Sequence, residues 1–349
     1  LREQTAMSPV PEGTLLGMGN PLLDLQATVE KTFLDKWGLK ENDAILCDDK
    51  LVGMFEELMS NYEVEFIPGG ATQNALRVCQ WILNTPNCTT FFGAIGNDKY
   101  GKMLAEKSRE AGVNVMYQIS PTVKTGTCAA LINGQHRSLC AHLAAANTFT
   151  ADHIHVPEHR AVIDKASFYY SAGFFLTVCP EALLEVAGVM SAKNAPMLLN
   201  LAAPFISEFF FKPLSSAIPF ADYIFGNEDE ALAFSKSAEF NTTDLKEIAV
   251  RIATMDKVNK SRPRIVIITQ GADPVLVATG DTLKEFPIQR LPKEKIVDTN
   301  GAGDAFVGGF LAQLVQGKPI EDCIACANYA ASEIIQQQGC TFPKECKYH

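Results

Sequence analysis

The run Asp298-Thr299-Asn300-Gly301-Ala302-Gly303-Asp304 places small residues and a carboxylate at the entry to a segment whose apolar positions, Phe306, Phe310, Leu311 and Leu314, have helical spacing. Backbone N–H groups of Gly301, Ala302 and Gly303 and the helix dipole would then converge on one point. Such a point suits the negative charge that develops on a phosphoryl group in transfer, because fixed dipoles stabilise it without reorganising. Asp304, in the first turn, would be kept ionised by the same dipole, a weak base until bound phosphates raise its pKa. A plain structural reading also fits: Asp304 and Thr299 cap a helix that packs closely through Gly308 and Gly309. From the run alone the two readings stand level.

Two further clusters carry possible chemistry. In Pro68-Gly69-Gly70-Ala71-Thr72-Gln73-Asn74 a glycine pair opens another helix; glycine permits close backbone approach, and Asn74 offers both donor and acceptor to a polyhydroxylated ligand. An ordinary strand-to-helix turn is the alternative. Asn227-Glu228-Asp229-Glu230 follows the strand-like Ile224-Phe225-Gly226, which puts carboxylates at the edge of a sheet where α/β folds bind ligands. Glu230 could hold Mg²⁺ through water, although acidic first turns also simply start helices.

Several other chemistries are disfavoured. Gly17-Met18-Gly19 runs on to Leu22 where a dinucleotide fingerprint needs glycine, and neither a G-x-x-x-x-G-K-[ST] loop nor protein-kinase motifs occur. The six histidines do not form a zinc helix. Ten cysteines lack framework spacing and read as reduced thiols; Cys323 and Cys326 match C-x-x-C, but within an Ala-rich helical pattern.

The elements that must position these clusters follow from patterning. The chain has 349 residues, 47% hydrophobic and 20% charged, enough for a large core. Its net charge of -10, with no Lys/Arg-rich run, argues against nucleic acid or an anionic membrane as partner. Residues 1–13 read as a polar tail without a signal-peptide core, and no apolar run reaches membrane-spanning length. A cytoplasmic protein is expected, with a nuclear presence also compatible.

Near-continuous apolar runs at Thr90–Ile95, Phe168–Ala172, Met197–Leu201, Tyr223–Phe225 and Arg264–Thr269 predict strands buried on both faces of a parallel sheet. Helical patterns at 72–83, 99–111, 181–192, 228–237, 243–255, 302–315 and 320–336 predict helices on both its faces. Leu22–Val29, Val64–Ile67 and Gly126–Leu143, the last with an Asn133-Gly134 turn, predict extra strands forming a flap or lid.

Taken in order, Gly69-Gly70 to Asn74, Asn227 to Glu230 and Asp298 to Asp304 resemble the ribokinase-like, pfkB-type carbohydrate kinase family over nearly the whole chain. Within it the chain looks most like the members that phosphorylate adenosine. That likeness lies in 17–24 (Gly-Met-Gly-Asn-Pro-Leu-Leu-Asp), 143–147 (Leu-Ala-Ala-Ala-Asn), 172–177 (Ala-Gly-Phe-Phe-Leu-Thr) and 339–343 (Gly-Cys-Thr-Phe-Pro).

The resemblance implies an α/β ribokinase-like fold, with a central, mostly parallel sheet, helices on both faces and a small β-sheet lid. The large domain would take about 1–21, 69–116 and 150–349, the lid about 22–68 and 117–149. It implies transfer of the γ-phosphate of ATP to the 5′-hydroxyl of adenosine, giving AMP and ADP in purine salvage, by a monomer. Another nucleoside or a sugar as acceptor is the alternative within the family. A non-catalytic nucleoside-binding protein is the alternative outside it.

Carried over by motif, Asp304 resembles the general base, Gly301, Ala302 and Gly303 the anion hole, and Arg137 a lid residue that neutralises phosphate charge on closure. Asp24, Gly70 and Asn74 look like the grip on the ribose hydroxyls. Asn20, Leu46, Cys128, Leu139, Ala141 and Phe175 look like the adenine slot, with Phe175 stacking. Asn227, Thr269, Gly271 and Asn328 are the implied ATP contacts, with Mg²⁺ near Glu230 and a monovalent cation as a further implied ion. Ala71 departs from the Ser or Gly expected after the glycine pair, which removes any side-chain contact to ribose there.

Overall fold

A computed structural model describes residues 9–41, 44–134 and 136–348. Most of the expected N-terminal tail, residues 1–8, lies outside the described residues. In the first half of the chain the strands are β1 (Leu15–Met18), β2 (Leu22–Thr28), β3 (Ala44–Leu46), β4 (Glu65–Gly69), β5 (Thr89–Gly96), β6 (Asn114–Ser120) and β7 (Thr127–Asn133). The second half supplies β8 (His136–His142), β9 (Phe168–Ala172), β10 (Met197–Asn200), β11 (Ala221–Asn227), β12 (Ile265–Gln270), β13 (Asp273–Thr279) and β14 (Thr282–Phe286).

Among the described residues these form two sheets, a nine-stranded one in the order β14-β13-β12-β11-β10-β9-β1-β5-β6 and a five-stranded one in the order β3-β8-β7-β2-β4. From β12 through β6 all neighbours in the large sheet are parallel; β13 and β14 add an antiparallel edge. Apolarity explains the arrangement: every residue of β5 is buried, as a strand covered on both faces must be.

One core forms on one face of this sheet from Leu16, Met18, Leu199 and Ile224 with the Pro180–Ala192 helix. A second forms from Leu15, Phe91, Leu198 and Phe225 with the Ala71–Leu83 and Ala302–Leu314 helices. Alternate residues of one strand thus serve opposite faces, the period of two that a pleated strand imposes. Against the second face the Ala302–Leu314 helix lies so close to its neighbour that a Cβ on Gly308 would come within 2.6 Å of Ala75 O.

The small sheet is mixed, with β2 parallel to β7 and antiparallel to β4, and β7 joined to β8 as an antiparallel hairpin. Its apolar side is covered by two helices, Lys31–Trp37 and Val52–Asn61, through Phe33, Leu34, Met54 and Leu58. The expected flap is therefore a sheet with its own core. The chain stays in the large sheet through Ser120, because β6 pairs with β5 to its end, and enters the small sheet at Thr127. The Gly17-Met18-Gly19 segment, which fails as a dinucleotide fingerprint, begins in β1, a buried strand between β5 and β9.

Candidate active site

The parallel strands end at one edge of the large sheet, and the small sheet stands over that edge. Between them lies a cavity of about 250 Å³. Its floor comes from chain that has just left β1 (Gly19, Asn20), β9 (Phe174, Phe175) and β10 (Ala202), with Glu230 in the first turn of the helix that follows β11. Its roof comes from the small sheet: Asp24 of β2, Leu46 of β3, Cys128 of β7 and Leu139 and Ala141 of β8. Gly70 and Asn74 enter from one helix start, and Gly301, Gly303 and Asp304 from another. Residues as far apart in sequence as Asn20 and Asp304 therefore meet at one cavity.

The glycine pair is required by geometry. Gly70 has φ 91, a left-handed conformation that side chains resist, and a Cβ there would run into the Asn20 carbonyl oxygen. A Cβ on Gly69 would overlap the Asp24 carboxylate itself. The turn thus lets the backbone press against both a cavity-floor carbonyl and a buried acid.

Asp304 is half-buried at the cavity wall and accepts a hydrogen bond from Asn74 Nδ2 at 3.0 Å. Burial raises its pKa to about 7, the Asn74 hydrogen bond pulls it down, and the neighbouring Asp24 charge pushes it up again. The direction differs from the expected weakly basic carboxylate: burial raises Asp304 towards neutral pH without bound phosphate. Asp24 is 6% exposed, and burial lifts its pKa to about 6 against the opposing pull of Arg137 and Arg77. Glu230 is raised to about 7, again chiefly by burial.

Asn20 donates from Nδ2 to Phe174 O at 3.1 Å, while its buried Oδ1 has no partner among the described residues. It lines the cavity with an acceptor to offer. Among the aromatics Phe175, the expected stacking residue, lies in the cavity floor. Its side chain is fully buried and packs edge-on to Phe149 at 5.3 Å, and Phe174 and Phe205, partly buried and 5.9 Å apart, line the cavity beside it.

Arg137 does not line the cavity. It forms a buried ion pair with Asp298 and donates to Gln26 Oε1 at 2.8 Å. Asp298 in turn accepts from Asn300 N at 2.9 Å and Gly339 N at 2.8 Å, so one carboxylate ties the small sheet to the loop before Asp304. Of the expected anion-hole donors, the Ala302 N–H is already engaged with Thr299 O at 3.3 Å, and Ala302 is not at the cavity surface.

Asn227 and Glu230 form a reciprocal cap, Asn227 Oδ1 accepting from Glu230 N at 2.8 Å and Glu230 Oε2 from Asn227 N at 3.1 Å. Thr269, at the end of β12, Gly271, in the β12–β13 turn with φ 55, and Asn328, in the Ile320–Ile334 helix, lie outside the cavity. No group of three His, Cys, Asp or Glu side chains able to hold a metal ion occurs among the described residues. A Mg²⁺ ion, which keeps most of its waters and takes one or two carboxylates plus phosphates, still fits beside Glu230.

Sequence reading passed over Thr72, Asn200, Ala202 and Phe205 of the lining. Thr72 Oγ1 accepts from Ala172 N at 3.0 Å and fixes the helix start to the end of β9. Its place next to the glycine pair was the one signal available.

Comparison with known proteins bears on what such a cavity does. Residues 31–346 match the model of the pfkB family carbohydrate kinases. Adenosine kinase 1 of Arabidopsis thaliana is 48% identical over 334 residues, 96% of this chain and 97% of that protein; adenosine kinase of Schizosaccharomyces pombe is 41% identical over 94% and 96%. The crystal structure of Anopheles gambiae adenosine kinase in complex with P1,P4-di(adenosine-5) tetraphosphate superposes with a TM-score of 0.94 at 50% identity, over 97% of this chain and 100% of that one. Adenosine kinase from Schistosoma mansoni in complex with 2-fluoroadenosine gives 0.92 at 32% identity, over 96% and 98%.

Proposed function

Because this chain belongs to the pfkB family of carbohydrate kinases, with adenosine kinases as relatives along nearly its full length, we infer that it phosphorylates adenosine with ATP. The products are AMP and ADP. The observation that carries the reading is Asp304, a carboxylate raised towards neutral pH by burial and held by Asn74, at one wall of a cavity whose roof is apolar apart from Asp24.

In this reading the adenine lies under Leu46, Leu139, Ala141 and Cys128, beside Asn20 and against Phe175, with Phe174 and Phe205 next to it. The ribose lies across Asp24, Gly70 and Asn74. An ionised Asp24 accepts from both vicinal hydroxyls, and its burial makes those hydrogen bonds stronger than they would be in water. Asp304 takes the 5′-hydroxyl proton as that oxygen attacks the γ-phosphorus. A base with a pKa near the working pH is both deprotonated often enough and basic enough to do so.

Charge developing on the phosphoryl oxygens falls at the Gly301 and Gly303 backbone, where the Ala302–Leu314 helix begins. Arg137 reaches that charge only by exchanging Asp298 for phosphate, which links chemistry to movement of the small sheet. ATP reaches the site from the side of Asn227, Thr269, Gly271 and Asn328. Glu230 would hold Mg²⁺ through water, and the ion supplies neutralisation of the phosphate charge. The ten cysteines, which lack framework spacing in the sequence, fit a reducing, cytoplasmic setting.

The test is ADP release with adenosine, inosine, guanosine, ribose and fructose as acceptors. Adenosine should be preferred by orders of magnitude in kcat/KM. Faster turnover of ribose would replace this reading with that of a sugar kinase.

A further inference from the structure

Arg77 lies one helical turn after Asn74 in the Ala71–Leu83 helix and is 6% exposed. All its hydrogen bonds among the described residues go to neutral oxygens: Nη1 donates to Pro68 O at 3.1 Å, to Asn74 Oδ1 at 3.3 Å and to Cys340 O at 3.3 Å, while Nε is buried without a partner. Burial accordingly depresses its pKa. Asp24 is the negative charge beside it, but each of these hydrogen bonds goes to a neutral oxygen, and a buried guanidinium placed on neutral acceptors is a costly way to fill space.

Its position explains what the cation is for. The Asn74 amide has an oxygen end and a nitrogen end that are nearly the same in shape, so only its neighbours decide which end faces Asp304. With Arg77 donating to Oδ1, the amide presents Nδ2 to Asp304 Oδ2. The flipped amide would oppose N–H to guanidinium and oxygen to carboxylate, two repulsive contacts in place of two attractive ones.

We propose that Arg77 is a positioning residue for phosphoryl transfer, which locks the Asn74 amide so that one oxygen of Asp304 is held and the other is left for the acceptor hydroxyl. The proposal rests on the reading of Asp304 as the base. The same guanidinium holds the Pro68 carbonyl at the glycine turn and the Cys340 carbonyl, beside Phe342 whose ring lies 5.3 Å from Cζ. It therefore joins three segments around one carboxylate.

The other titratable or charged groups facing Asp304 are Asp24 of β2, Tyr170 of β9, Glu230 after β11 and Cys340. None of these is hydrogen-bonded to Asp304 in the structure; Asn74 is.

The test is the pH profile of kcat at saturating adenosine and MgATP, where ribose already covers Asp24 and its ionisation no longer registers. In Arg77→Met, kcat at pH 8.5 should fall about tenfold through lost alignment, and the acid limb should move up by about 0.5–1 pH unit because Asp304 loses a donor. Arg77→Lys, which keeps a charged donor, should bring the limb back towards that of the unchanged protein. If Arg77 only staples the Cys340 segment, Arg77→Met will lower the melting temperature and leave the limb where it was, and the proposal is overturned. Should Arg77→Met fail to fold, the side-chain amide of Asn74 in the unchanged protein answers by NMR. A clamped amide gives slowly exchanging protons that shift as Asp304 titrates; fast exchange without a titration shift also overturns the proposal. Failure of the unchanged protein to turn over adenosine would instead strike the underlying reading, a separate result.

Discussion

Asp304 concentrates the chemistry of the molecule in one side chain. Its pKa is raised to about 7 by burial, so the free protein should show an acid limb in kcat/KM near pH 7, with activity rising as the carboxylate loses its proton. A profile flat from pH 5.5 to 8.5 would contradict the assignment. Asp304→Asn keeps the acceptor for Asn74 and removes the base. Turnover should drop by roughly 10²–10⁴, with adenosine affinity, read by calorimetry, changed only a few-fold. Full activity in that variant would end the assignment of Asp304 as base. Aromatic choice is tested at the same scale: Phe174→Ala should weaken adenosine binding more than tenfold by removing a ring that faces the cavity, with base stacking worth about 1–3 kcal/mol. Phe175→Leu should lower stability, since its ring meets Phe149 in the core, and also weaken adenosine binding, since Phe175 lines the cavity.

Among the elements, the turn from β4 into the Ala71–Leu83 helix carries the tightest constraint. A methyl at Gly69 would sit on the Asp24 carboxylate, so Gly69→Ala must either push Asp24 out of place or open the small sheet from the large one. Adenosine affinity should fall by at least tenfold, while Ala71→Gly beside it should leave affinity within about threefold, the spread of an ordinary surface change. Equal effects at both positions would remove the steric argument. This turn was legible in the sequence as a glycine pair, and the buried strands of the large sheet were legible as apolar runs, because burial on both faces leaves composition as its trace. Other features were not. The small sheet's helices, Lys31–Trp37 and Val52–Asn61, are short and amphipathic beside a strand of three residues, β3, whose pairing with β8 depends on contacts distant in sequence. Phe174 and Phe175 are neighbours of one type in a 3₁₀ turn at the cavity, and only the direction of that turn decides which is partly exposed and which fully buried. Arg77 carries no signal in the sequence, because its partners Pro68 and Cys340 come from other segments of the chain.

The whole molecule bears the cost of holding acids in a dry cavity. Asp24 is raised from 3.8 to about 6 in the fold. The folded protein therefore holds that proton more tightly than the unfolded chain does; stability from this group is fully present below about pH 4, is lost as pH rises through about 6, and stays lost above. His153, lowered to about 4 by burial, works the other way, because the unfolded chain takes up its proton first as pH falls. A stability curve of the unchanged protein alone mixes these opposing slopes with those of Glu230 and Asp304. Comparison with Asp24→Asn isolates the one group, since the other residues are common to both proteins. At pH 8 the free variant should be more stable than the unchanged protein by roughly 1–2 kcal/mol, less than the full shift implies because Arg77 and Arg137 adjust around a neutral side chain. At pH 4 the difference should vanish. Adenosine should reverse the order at pH 8: a ligand at a hundred times its dissociation constant adds about 2.7 kcal/mol to the protein that binds it, and the variant, without a carboxylate for the ribose hydroxyls, should gain little. Thermal melts of both proteins at pH 4 and pH 8, with and without adenosine, read all four corners. A variant no more stable at pH 8 in the free state would mean that Asp24 is ionised in the fold at no cost, held by its two arginines rather than kept available for substrate.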